Sequence, residues 1–170
     1  ASNSSSTNPA IPVSADTNGR TVAQSFTPQQ DYTLGSISLA LSVPSGSSGA
    51  SFTVALMTDL GGGSPGSVIE QFTVTTVPTS QANVTPVVVT SVSQPTLLAY
   101  TQYWVAVSPV GGSAGVWQTN TISDVAGSAP NILNVVSSTG LAGPWDTSYW
   151  FGQPRGAFSV SGTPLSGQST

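Results

Sequence analysis

Apolar side chains recur at every second position in one short segment after another, and that period limits what the chain can fold into. Ile37, Leu39 and Leu41 keep it within 32–42, and Phe52, Val54 and Leu56 within 51–58. In 100–108, Tyr103, Val105 and Val107 fall on one face and Trp104 and Ala106 on the other. A strand points successive side chains to opposite sides, so this spacing buries one face of a sheet. No segment sustains a helical i, i+3, i+4, i+7 pattern over ten residues. Further strands are expected at 20–27 (Val22, Gln24 and Phe26 on one face), 68–76, 83–92, 115–121, 132–136, 148–151 and 156–162. Turn-rich pieces such as Pro44-Ser45-Gly46 and 61–66 separate them. Gly35, where the apolar phase slips between Leu34 and Ile37, marks an expected bulge.

The expected fold is all-β: an antiparallel β-sandwich, jelly-roll-like, with an extended N-terminal arm. The arm is 1–19, the sandwich 20–163 and a linker-like tail 164–170. Leu39, Leu41, Val54, Leu56, Val105, Val107 and Phe158 are the expected core. In the arm, Ile11 and Val13 are the apolar contacts, expected to add a short strand to a neighbouring subunit. Pro9 and Pro12 lack the N–H that a continuous ladder needs.

Composition narrows the function more than it names one. The 170 residues hold two Arg, no Lys, no His and no Cys, with six acids and a net charge of −4. Zinc and haem sites want His or Cys, and Ser-His-Asp or Cys-His nucleophiles need them outright. Nucleic acid is not an expected partner, because its phosphates need several cations. No run of 18 apolar residues is present to span a membrane. No enzymatic activity is expected. Hydroxyl residues replace charge: 29 Ser and 21 Thr. Such a surface, and Ala at the first position as signal-peptide cleavage leaves it, lead to the expectation of a secreted, extracellular or cell-surface protein.

The acids are Asp16, Asp31, Asp59, Glu70, Asp124 and Asp146. They lie mainly in turn-rich stretches, where carboxylates fasten backbone. A glycosidase would need two of them facing across a sugar. Calcium is the one cofactor whose oxygen chemistry fits, through Asp59 beside the Gly-rich turn or Asp124. No Asp-x-Asp-x-Asp spacing accompanies either, so no metal is expected. Trp145, Tyr149, Trp150 and Phe151, with Trp117, form the densest aromatic group. Alternation in 149–151 cannot point all three rings into one core, so a subunit or sugar contact is expected there. Arg155 follows, placed to stack on a ring or pair with Asp146. Asn3-Ser4-Ser5 and Asn83-Val84-Thr85 match the N-glycosylation pattern.

Four segments occur in order: Val22-Ala23-Gln24-Ser25-Phe26-Thr27 with 32–37; Phe52-Thr53-Val54-Ala55-Leu56-Met57-Thr58-Asp59 into Ser64-Pro65-Gly66; 97–105; and 155–163. Over 20–163 this order resembles the choice-of-anchor R type domain of secreted bacterial proteins, many with PEP-CTERM sorting tails. The resemblance implies a β-sandwich of an exported, surface-associated protein, often from exopolysaccharide producers, and brings no catalytic residues. The Pro-Glu-Pro element, apolar helix and basic cluster of such a tail are not found in this sequence. Two functions follow as expectations. One is an extracellular structural subunit, self-associating through its arm into a filament or matrix. The alternative is a non-catalytic carbohydrate-binding module for exopolysaccharide, with Trp145, Tyr149, Trp150 and Arg155 as its contacts.

Overall fold

A computed structural model describes residues 11–14, 20–44, 49–79, 85–120, 134–146 and 155–165. It is an all-β, antiparallel sandwich. Its strands are β1 (Ile11–Ser14), β2 (Thr21–Phe26), β3 (Tyr32–Leu39), β4 (Leu41–Ser42), β5 (Ser51–Gly61), β6 (Ser64–Val74) and β7 (Val87–Thr90). They continue as β8 (Thr96–Leu97), β9 (Tyr103–Val110), β10 (Ala114–Trp117), β11 (Thr119–Asn120), β12 (Asn134–Ser137), β13 (Arg155–Gly156) and β14 (Phe158–Pro164). One layer is the five-stranded sheet β12-β2-β9-β5-β6. The other is built on β14-β3-β7, with β8 also on β3; small sheets β1-β10-β4 and β11-β13 extend it.

Period-two alternation sets the core as expected. Leu34, Ile37, Leu39 and Leu41 meet Val22, Val54, Leu56, Val105 and Val107 between the layers, all essentially inaccessible. Phe158 is only partly buried; its ring meets Trp117 and Phe26 edge-on, at centroid distances of 5.9 and 6.1 Å. Leu34 and Ile37 both face inward because β3 bulges at Gly35. Leu34 pairs with Gly162 and Ser36 with Ser161, and Gly35 is the extra residue between them.

The Gly-rich stretch 61–66 is less of a break than the sequence implies. β5 and β6 form a long hairpin whose turn is only Gly62-Gly63, at φ +65° and +81°. Two successive positive φ values are what a type I′ hairpin turn requires, and glycine meets them without strain. The strand expected to start at residue 100 begins at Tyr103, and 32–42 is interrupted at Ala40.

That interruption belongs to a junction. Ala40 separates β3 from β4, Gln118 separates β10 from β11, and Ala157 separates β13 from β14. The three bond in a closed ring: Ala40 N–H to Ala157 O (3.0 Å), Ala157 N–H to Gln118 O (2.7 Å) and Gln118 N–H to Ala40 O (2.8 Å). Each strand changes partner there, and no backbone group of the ring is wasted. Trp117, fully buried, donates its indole N–H to the same Ala157 oxygen at 3.0 Å. Trp117 is thus a core residue and not part of an exposed aromatic group.

Candidate functional site

The N-terminal strand comes first, because it departs from expectation. β1 does not leave the domain: it pairs with β10 of its own chain, Ile11 opposite Trp117, Pro12 opposite Val116, Val13 opposite Gly115 and Ser14 opposite Ala114. The physical reason is the edge it covers. β10 pairs with β4 on one side, and without β1 its other side would present a bare row of N–H and C=O groups. The arm is therefore β-capable and short, as its prolines dictate, but its strand is made in cis. Of the remaining arm, 1–10 and 15–19 lie outside the described residues.

The two described members of the aromatic group do not meet: Trp117 lies in the core between the layers and Trp145 on the outer side of the five-stranded sheet. Tyr149, Trp150 and Phe151 lie outside the described residues. Arg155 opens β13 opposite Asn120. Trp145 is half-buried and packs with Leu141 on the outer side of the five-stranded sheet, over Ala23, Ala55, Met57, Trp104 and Ala106. Three alanines make that face shallow, and an indole fills a shallow face well. Trp145 is accordingly a partial cover of a second small core rather than an open platform.

The acids act as fasteners. Asp59 Oδ1 accepts from the indole N–H of the fully buried Trp104 (2.7 Å) and from Gln102 Nε2 (2.9 Å), while Oδ2 accepts from Gly61 N–H at 3.0 Å. Asp31 Oδ1 accepts from Ala99 N–H at 2.6 Å. Glu70 on β6 reaches across to the turn after β7, accepting from Ser91 Oγ (2.6 Å), Val92 N–H (2.7 Å) and Ser93 N–H (2.9 Å). Burial pushes its carboxyl up, but the Ser91 hydroxyl and the Ser93 and Val92 amides outweigh it and hold Glu70 below the usual carboxylate range. Among the described residues no three of His, Cys, Asp and Glu gather as a metal site would require. Asp16 and Asp124 lie outside them, and Asp146 is exposed.

Two surfaces emerge only from the fold. The outer face of the β14-β3-β7 layer is a grid of small side chains, all hydroxyl-bearing except Val88, in three cross-strand rows: Ser159, Ser38, Val88; Ser161, Ser36, Thr90; Thr163, Thr33, Thr96. Ser36 and Ser161 hydrogen-bond through their hydroxyls at 2.8 Å.

The second surface is one end of the sandwich. Tyr103 packs on Phe26, sits opposite Thr58, and accepts on its hydroxyl from Leu98 N–H at 3.0 Å. Tyr32 there pairs with Leu97 on one side and Pro164 on the other, and burial, with Tyr103 beside it, pushes its hydroxyl up to about 12. Just beyond these residues stand Leu60 and Leu98, Tyr100 and Leu165, all exposed. The signal was present: adjacent Leu97 and Leu98 cannot both face inward in a strand.

No protein-family model matches the chain, and no curated protein is detectably similar to it in sequence. Among the described residues, no helix is long and apolar enough to cross a membrane.

Proposed function

We propose that the chain is an extracellular structural subunit that self-associates by strand exchange, its β1 segment passing onto the β10 edge of a neighbouring copy. The observation that carries this reading is the β1–β10 pairing itself. An edge strand that pairs in cis can make the same contacts in trans, since the swapped interface is identical in composition. Head-to-tail passing of one strand propagates a chain of subunits. The low charge, two Arg against six acids, lets copies approach with few ions to desolvate. The resemblance to choice-of-anchor R type domains supports secretion and a place at the cell surface.

The test exploits the absence of cysteine. Ser14 and Ala114 are register partners, and facing residues of antiparallel strands lie within disulfide range. A Ser14→Cys/Ala114→Cys chain oxidised when dilute should lock β1 in cis and remain monomeric by light scattering. It should assemble after reduction, as the unaltered chain should. Oxidised after assembly, it should instead run as a covalent ladder on a non-reducing gel. A cis-locked chain that assembles as well as the unaltered one would refute strand exchange and leave β1 as an internal strand.

A further inference from the structure

The exposed end of the sandwich carries an aromatic residue that its own backbone does not favour. Tyr100 is 78% exposed and sits at φ +58°. That left-handed conformation suits glycine or asparagine and is an outlier for a bulky side chain. A ring with no core to fill, set where the turn asks for glycine, is a local conflict of the kind found at functional sites.

The backbone around it is fixed from several directions. Tyr100 N–H donates to Pro28 O at 2.8 Å, and Ala99 N–H to Asp31 Oδ1 at 2.6 Å. Leu98 N–H donates to the Tyr103 hydroxyl, and Leu165 N–H to Asp31 O. The ring is thus presented on a rigid mount, which lowers the entropy lost on binding. Leu98 (51% exposed) and Leu165 (44%) flank Asp31 on its two sides. Gln30 and Thr101 supply exposed amide and hydroxyl groups beside them.

We propose that Tyr100 is the aromatic platform of a binding site for a neutral polysaccharide. A sugar ring offers an apolar C–H face and a rim of hydroxyls, and an exposed Tyr among amides and hydroxyls matches both. Neutrality follows from the charges. Arg20 precedes β2 at the opposite end, and Arg155 begins β13, at the far end of β14 from Pro164. No cation of the described residues therefore faces an anionic polymer here, and Asp31 would repel one. Apolar residues interrupted by polar ones also suit a glycan better than the continuous apolar patch of a subunit interface. This site is independent of strand exchange, and either can fail alone.

The test is native affinity electrophoresis of the full chain through gels cast with dextran, a β-1,3-glucan or a galactomannan, with alginate as the acidic comparison. Tyr100→Phe, Tyr100→Gly and Tyr100→Asn are run beside the unaltered protein, with a melting curve for each. At least one neutral gel should retard the unaltered chain and Tyr100→Phe to within about threefold of each other. Both ring-less variants should lose about tenfold in affinity, the order of one stacked ring. Their melting temperatures should be equal or higher, because Gly and Asn accept the positive φ. No retardation in any neutral gel, retardation by alginate alone, or unchanged retardation of Tyr100→Gly and Tyr100→Asn would overturn the proposal. So would ring-less variants that lose self-association without any glycan effect, which would assign the end to a second copy.

Discussion

Gln24 is the residue most out of keeping with its surroundings. It is fully buried on the inward face of β2, beside Gly156 and close to Trp117, and among the described residues neither its Oε1 nor its Nε2 has a hydrogen-bond partner. A buried amide left unpaired costs about 1–3 kcal/mol, whereas an apolar group of the same shape costs nothing of the kind. Gln24→Met should therefore stabilise the protein by about 1 kcal/mol, read as a higher midpoint in denaturant. A lower midpoint would mean that the amide is satisfied in solution. Glu70 is the opposite case, a carboxylate with three donors that ties the β6 edge of one layer to the β7 edge of the other. Its carboxyl is held low in the folded protein, so its contribution is present above the ordinary value of 4.5 and is lost as pH falls through the folded one. Acid titration of stability should show this loss below pH 4.5, and Glu70→Gln should flatten it. Glu70→Ala should cost about 1 kcal/mol at neutral pH, small because the group is near solvent.

At the scale of elements, what the sequence declares is alternation, and what it conceals is partnership. The inward faces of β3, β5 and β9 follow from period two, and the Gly35 bulge follows from the slip in that period. Neither needs knowledge of a neighbour. The Gly62-Gly63 turn was harder to see, because four further Gly, Ser and Pro residues around it read as loop, although Ser64–Val74 pairs along most of its length. Ala40, Gln118 and Ala157 carry no local mark at all. They end strands only because three distant segments meet. The cis placement of β1 was hidden for the same reason: a β-capable segment states that it will pair, not with which edge. In sequence Tyr100 looks like the first residue of a strand because its neighbours are apolar and aromatic, and the turn becomes visible only once the Tyr103 hydroxyl is seen to reach back to Leu98.

The whole molecule meets water with hydroxyl groups rather than ions, the outer face of its β14-β3-β7 layer being largely Ser and Thr among the described residues, and it joins that layer to the small sheets that extend it with bonds between remote parts of the sequence. The ring of Ala40, Gln118 and Ala157 is the clearest of these. It gives the chain a clock as well as a shape. The ring cannot close until the last of its members is available, so the stretch that contains Ala157 acts as a latch for β4 and β10 laid down long before it. Closing contacts so far apart in sequence is slow, and it is cooperative because each of the three bonds presupposes the other two. Pulsed hydrogen exchange during refolding should find the amides of Ala40, Gln118 and Ala157 gaining protection in one shared late phase, whereas those of the β5–β6 hairpin become protected earlier. Separate phases for the three would mean that the strands exchange partners one at a time, and that the latch is three independent catches.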